Sequence, residues 1–540
     1  MNRVILVMFV TACGSELTTS AAGADAGFAA GCLSSSECPT GQVCNDFGRC
    51  EAPAPMGDGG VPPEEVEREL GAPTASERFV YVAMTAQDEL ARIDGATLAI
   101  RTTRVGDAPR VVAAIPGTDG ALALDSINGT DSIVRPAGDS DTRRVLPTLP
   151  NGNRIDVDPT GRYAVIWFDL SQSSGAGIGS FQDVTVLNLT PGAERAVDLT
   201  VGFRPRDVQF DAAGTRAYVI TQDGVSVIDL GYATTHPPSI VPPIPVANPG
   251  VNVEVAIVAT GQYAAVRIAG APVLRVVDVA GPEPGRRFDI PLASPATDVD
   301  LAPDGARVYA LSRAASTLAI VDVPSDAFAP SGVETVGLGA AALGSLVISP
   351  DGRQAMLYTN ATLDERLTMI SLATPGYPRV TWPLQKAVRA VAFSPTGTSA
   401  LVIHAKAPGD PTQATSVDEL VDRSYGYSLV DTASGFAKLQ VTPVDPGPFA
   451  YAPDGTKLYV GLDGGDVPTA TRALQLVTVA TGVVTTKQLG SPPSALGILP
   501  AAGVAFVAQR HPLGRVTFVR FADNQLRTVT GFDLNSDIVQ

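Results

Sequence analysis

The 540-residue chain has 3 histidines, 5 cysteines and 2 tryptophans, and no cysteine at all after Cys50. A thiol nucleophile is therefore excluded from the last 490 residues. His236, His404 and His511 are too dispersed for the clustered spacing of a zinc site. No apolar run is long enough for a spanning helix, for which about 20 residues are needed. Basic residues are outnumbered, with Lys+Arg 38 against Asp+Glu 55 and a net charge of −17. That balance excludes a generally basic, nucleic-acid-binding chain. Also absent are a glycine loop that cradles phosphate, a Gly-x-Ser-x-Gly elbow and a calcium EF-hand loop. No metal, cofactor or catalytic set is expected from these residues.

The N-terminus reads as an export signal. Arg3 precedes the apolar run 4–10, and Val10-Thr11-Ala12-Cys13 resembles a bacterial lipobox. The expectation is a signal at 1–12, lipidation of Cys13 and a cell-envelope location, with Gly14 favouring the outer membrane. On this reading the protein touches the membrane only through its lipid. The other cysteines, Cys32, Cys38, Cys44 and Cys50, are separated by five residues each. Beside an export signal, an even count reads as two disulfides, with three connectivities open. So short a segment cannot bury a core of its own and needs such staples. The stretch Cys38-Pro39-Thr40-Gly41-Gln42-Val43-Cys44 resembles small cysteine-rich modules of lipoproteins from myxobacteria and related bacteria. Residues 13–31 and 51–77 lack apolar periodicity and read as tethers; the second holds five prolines.

From residue 78 to 540 one unit recurs: a short apolar strand, a tight turn with glycine, then a second apolar strand. Val347-Ile348-Ser349-Pro350-Asp351-Gly352 before Gln354 is the clearest copy. Proline presets φ, aspartate bonds the backbone ahead, and glycine accepts positive φ. The turn glycines are Gly120, Gly161, Gly214, Gly261, Gly305, Gly352, Gly397, Gly455 and Gly503. A period of about 47 residues with four short strands is that of propeller blades. Third strands such as Thr317-Leu318-Ala319-Ile320-Val321-Asp322 complete the likeness, and the pattern resembles the YVTN-type propeller repeat family. The resemblance implies an all-β propeller of about ten four-stranded units and implies little about activity. One large ring is favoured, with two rings as the alternative, or a degenerate unit near 111–147 that is no true blade. Closure is expected from pairing of Ser536-Asp537-Ile538-Val539 with Phe79-Val80-Tyr81-Val82, whose own first strand looks missing.

Function belongs to long loops on such a scaffold. Three insertions, 169–183, 405–426 and 463–472, all join second to third strands and so rise on one face. Their candidate ligand-binding residues are Asp169, Asp183, Asp410, Asp418, Arg423, Asp463 and Asp466, with Arg510 and His511 in the equivalent loop of the last unit. The expected role is a binding scaffold for an envelope or extracellular protein, glycan or small ligand. The alternative is a hydrolase, lactonase or cofactor-dependent dehydrogenase at the central channel, drawing on Arg204, Arg206, Glu254, Arg389 and His404. The recurrent tyrosines, Tyr81, Tyr163, Tyr218, Tyr263, Tyr309, Tyr358 and Tyr459, read as packing between blades.

Overall fold

The computed structural model describes residues 74–532, apart from 86, 108, 173–177, 237–239, 340–341, 466–469 and 512, together with two short strands at Val43–Cys44 and Cys50–Glu51. Those two strands pair antiparallel, with Cys44 opposite Cys50 in the backbone register. The expected signal, the first tether, residues 52–73 of the second, Cys13, Cys32, Cys38, Asp466 and the tail 533–540 lie outside the described residues.

From Thr74 onward the chain forms ten antiparallel sheets in sequence order. As blades 1 to 10 they cover 79–104, 111–147, 154–200, 205–229, 253–291, 298–337, 345–383, 388–442, 446–488 and 493–530. Eight have four strands and two, blades 1 and 4, have three. The segment 111–147, doubtful in the sequence, is a complete four-stranded blade.

The core lies between blades rather than inside one. Each neighbouring pair shares an apolar cluster, from Tyr81, Leu90 and Val134 between blades 1 and 2 to Tyr459, Leu496 and Val519 between blades 9 and 10. A tenth cluster joins blade 10 to blade 1 through Val80, Ile93, Phe506, Phe518 and Phe532. An open array of ten blades has nine seams. Ten seams make one closed ring and settle the single ring over two. Because each sheet is covered on both faces, central strands such as Tyr163–Trp167 read as continuous apolar runs. Each fully buried Val, Leu, Ile or Phe contributes about 1.5–3 kcal/mol.

The closing seam also carries a hydrogen bond from Ala501 N to Glu77 O, 3.0 Å. Beside the second strand of blade 1, Thr74–Ser76 takes up the end of the inner position, with Ala75 bridged to Val80. The first strand that looked missing is thus begun by residues immediately upstream. Blade 4 lacks a regular outer strand for a chemical reason. After a short helix, Leu230–Thr235, the chain runs through Pro242, Pro243 and Pro245, which cannot donate to a ladder. Among the described residues there, the isolated bridges Thr200 to Ile240 and Val225 to Ile244 form in its place.

Several turn glycines pack one blade on the next. Eight of the nine expected have φ between +60° and +71°. In blade 2 the positive φ belongs to Gly117 rather than Gly120. A Cβ on Gly214 would stand 2.0 Å from Asp158 Oδ1, and one on Gly305 would stand 2.2 Å from Ala259 Cβ. Each of these turns is seated on the turn before it, where only hydrogen fits. The seven tyrosines do turn towards the following blade, as members or packing partners of the seam clusters. They occupy three registers, not one. Tyr218 and Tyr309 are alike, Tyr163 and Tyr263 stand two residues earlier in their strands, and Tyr358 two later. Tyr218 donates to Gly261 O at 2.6 Å, tying its blade to the next turn.

This topology fixes two faces. First-to-second and third-to-outer connections share a turn face. Second-to-third and blade-to-blade connections share the opposite loop face.

Candidate functional site

All three insertions stand on the loop face, and most of their charged groups are spent on holding the loops. In 405–424, Asp410 caps the turn Pro411–Gln413 by accepting from Thr412 N at 2.8 Å. That bond, with the Thr412 hydroxyl, holds the Asp410 carboxyl below its ordinary range. Ser416 caps the helix Val417–Arg423 by accepting from Glu419 N at 3.1 Å. Arg423 pairs with Glu419 at 2.5 Å, one helical turn back. Asp418 lies exposed in the first turn.

Two buried residues stand at its base: Lys386 holds the insertion and His404 fixes the strand from which it leaves. Lys386 is 1% exposed and donates from Nζ to Asp422 O, 2.6 Å, at the C-terminal end of that helix. Its charge faces the negative end of the helix, while burial lowers its pKa. His404 is fully buried, with Nδ1 3.1 Å from Ala387 O and Nε2 2.7 Å from Ser428 Oγ. A neutral ring donating from Nδ1 and accepting at Nε2 satisfies both. Burial first of all, with Lys386 and Arg389 nearby, pushes its pKa down to about 4.

In 169–183, Asp169 is buried and accepts from Ser171 N and Oγ, with Arg154 at 3.5 Å. Asp183 accepts from Ser180 Oγ and Thr200 Oγ1, each at 2.7 Å. An aromatic chain, Phe168 to Phe181 to Phe203, pins the loop beneath. In 463–472, Asp463 accepts from Gly465 N and pairs with Arg510 of the next blade at 2.7 Å. His511 closes its own turn by accepting from Leu513 N at 3.1 Å. Among the described candidates the structure pairs Asp463 with Arg510 across two blades and brings Arg423 near enough to Asp410 to help lower its carboxyl.

The residues named for a channel site are spread over blades 4, 5 and 8. Arg389 is held in a fork by Asp445 at 2.7 and 2.8 Å, and Glu254 by Arg267 at 2.6 Å. Arg204 lies over Phe203, Arg206 is exposed, and His404 is sealed in the core. Polar side chains of the inner strands have another use. Gln209 donates to Val255 O and accepts from Ile257 N of the next blade. Asp298 accepts from Leu346 N at 2.7 Å. They satisfy the bare inner edge of each neighbour, which no further strand covers. Asp156 receives the Trp167 indole N–H at 2.6 Å, and burial, with Asp207 adding to it, pushes its pKa up to about 6. Among the described residues no three His, Cys, Asp or Glu gather as metal ligands.

Sequence reasoning missed Lys386, the Arg389–Asp445 fork and Asp131. No local pattern marks them, since each is defined by neighbours on other strands or blades. Beside exposed polar groups such as Asp418 and Arg206, the loop face shows apolar side chains: Ile127, Ile178, Leu363, Val417 and Leu513 are 55–73% exposed, each in a second-to-third loop.

No family model matches the sequence, and no curated protein matches it. Among solved structures it is similar to a eukaryotic initiation factor, at 11% identity and a TM-score of 0.45 over 85% of this chain and 98% of that one. It is similar to the dihydro-heme d1 dehydrogenase NirN, at 13% identity and 0.42 over 78% and 75%. It is also similar to the β-propeller domain of Myceliophteria thermophila Cps50 (Swd1), at 12% identity and 0.35 over 63% and 97%. What the chain shares with these proteins is fold, and the chain itself is an all-β propeller of ten blades.

Proposed function

We propose that the chain is an exported, lipid-anchored scaffold that binds a partner protein through its loop face. The observation that carries this reading is the division of labour on that face. Ion pairs and caps occupy most of the charges named above, such as Asp410, Arg423, Asp463 and Arg510, while apolar tips from blades 2, 3, 7, 8 and 10 stand out in solvent. Scattered exposed apolar residues are ordinary. Here they sit at the ends of loops braced by buried contacts, an arrangement that keeps a contact surface preformed and limits the ordering cost of binding.

The test is site-specific photo-crosslinking in living cells. A crosslinker at Val417 or Leu513 is expected to capture one discrete partner. A crosslinker at Phe436, equally exposed but on the turn face, is expected to capture none. Equal labelling from both faces, or none from either, would sink the proposal. The anchor is tested separately: Cys13→Ser is expected to move the protein from the membrane to the soluble fraction.

A further inference from the structure

The outer wall of the ring is not uniform in charge. The outer strands of blades 10, 1 and 2, namely Leu526–Thr530, Ile100–Arg104 and Ser140–Pro147, are neighbours around the ring. Ile100 and Val529 pack in the closing seam, and Thr103 of blade 1 donates to Asp141 of blade 2 at 3.0 Å. These strands carry Arg101, Arg104, Arg143, Arg144 and Arg527. Their one acid, Asp141, is buried and faces Arg92 at 2.8 Å. Arg104, Arg143, Arg144 and Arg527 are all exposed, and the described structure gives none of them a carboxylate partner.

Elsewhere on the ring several arginines that reach solvent are paired, as in Arg286–Glu283 at 2.6 Å, Arg307–Asp322 at 2.7 Å and Arg366–Asp364 at 2.6 Å. A charged side chain on an edge strand also guards it against pairing with another chain. The outer strands of blades 7, 8 and 9 carry one cation each for that purpose: Arg379, Lys438 and Lys487. Blades 1 and 2 exceed this with two arginines each, and Arg527 of blade 10 extends the same wall, in a chain whose net charge is −17. The chain enters the ring at the middle one of these three, where Thr74–Ser76 lies beside blade 1. Thr74–Ser76 lies on the inner side of that blade, so the chain enters the ring in the same angular sector as the basic outer wall.

We infer that the outer wall of blades 10, 1 and 2 docks on anionic lipid headgroups, so that the ring stands on this edge against the membrane. The setting rests on the anchored reading above; the charge pattern does not. Guanidinium groups bind lipid phosphates, and each basic group near such a surface adds roughly fivefold to binding, an effect that salt screens. The acidic remainder of the ring is repelled, which favours this one orientation.

The test uses the full chain with Cys13→Ser, so that no acyl chain contributes. It is sedimented with vesicles of phosphatidylethanolamine, with or without phosphatidylglycerol. The expected result is binding only where phosphatidylglycerol is present, lost at high salt. It should fall by about a hundredfold or more in the triple variant Arg104→Glu, Arg143→Glu, Arg144→Glu. The control variant Arg379→Glu, Lys438→Glu, Lys487→Glu has the same change in net charge and should bind nearly as the parent does. Unchanged circular dichroism and melting establish that both variants are folded. No preference for anionic vesicles, or an equal loss in the control, overturns the inference. Mass analysis of the native N-terminus judges the anchor independently, since an unmodified Cys13 would remove the anchor and leave the vesicle result standing.

Discussion

Asp131 stands in the seam between blades 2 and 3 with no exposure and no hydrogen-bond partner for either oxygen. Leu124 and Leu146 lie opposite it in its own sheet, and the apolar cluster of that seam surrounds it. The charged groups on the same seam are the Arg135–Glu194 pair, Arg144 on the outer strand, and Asp198, which accepts from Thr185. Burial holds the carboxyl far above its ordinary range. Below pH 4 both folded and unfolded chains keep this proton. Above it the unfolded chain releases the proton and the fold does not, so stability falls as pH rises towards the raised value. His404 acts in the opposite sense: its contribution is present above pH 6.5 and is lost as pH falls towards 4. Asp131→Asn is expected to flatten the decline of melting temperature between pH 4 and 7 and to raise it at pH 7. His404→Gln is expected to flatten the acid side and to lower melting at pH 7 by the equivalent of about 1–3 kcal/mol, the cost of disturbed buried hydrogen bonds. Melting curves across that range decide both. Nothing near Asp131 in the sequence announces its burial, because Thr130–Ala137 is an apolar strand only in part. By contrast, Gly305 and Gly352 were legible, since the Pro-Asp-Gly turn demands positive φ wherever it occurs.

At the scale of the element, the insertion 405–424 shows where sequence reasoning stops. Its position on the loop face follows from strand order alone. Its attachment does not, because Lys386 reaches it from the connection between blades 7 and 8, and its helix buries no residue of its own. A seven-residue helix is marginal without such support. Lys386→Met keeps the apolar stem and removes the ammonium. It is expected to leave the melting of the ring within about 1 kcal/mol, as for a local change. It should also speed protease cleavage between Pro408 and Arg423 at least several-fold. Limited proteolysis with mapping of the first cut checks this, and an unchanged cleavage rate would show that Lys386 does not hold the loop. The acidic residues chosen from sequence were rightly placed on the loop face, but Asp169, Asp183 and Asp410 are occupied in capping and bracing. Loop acids cap turns far more readily than they bind ligands, and sequence alone does not separate the two uses.

For the whole molecule, repeat number was readable and closure only half so. Nine turn glycines implied about ten units; ten seams prove one ring. The expected pairing of 536–539 with 79–82 lies outside the described residues; among the described ones the closing seam is packed, with Phe532 in it. Phe532 is 1% exposed, and a Cβ on Gly514 would stand 2.3 Å from its ring. Phe532→Ala is expected to destabilise the ring by about 3–5 kcal/mol, as emptying a buried aromatic site does. Because a closed ring has no free end at which to fray, the loss should appear as a lower melting temperature for the entire domain, measured by calorimetry. Melting of blade 10 alone would show that the seam is not shared by the whole.

The entry of the chain at Thr74–Ser76 has a mechanical consequence. Any tension on the N-terminal side is delivered first to two backbone bonds, Tyr81 N to Thr74 O at 3.2 Å and Ser76 N to Phe79 O at 2.9 Å. Immediately beyond them, Glu77 receives Ala501 N from the last blade. A pull from the N-terminal side is therefore loaded onto the joint where the beginning of the ring meets its end. The seam that closes the molecule is also the place where force would open it.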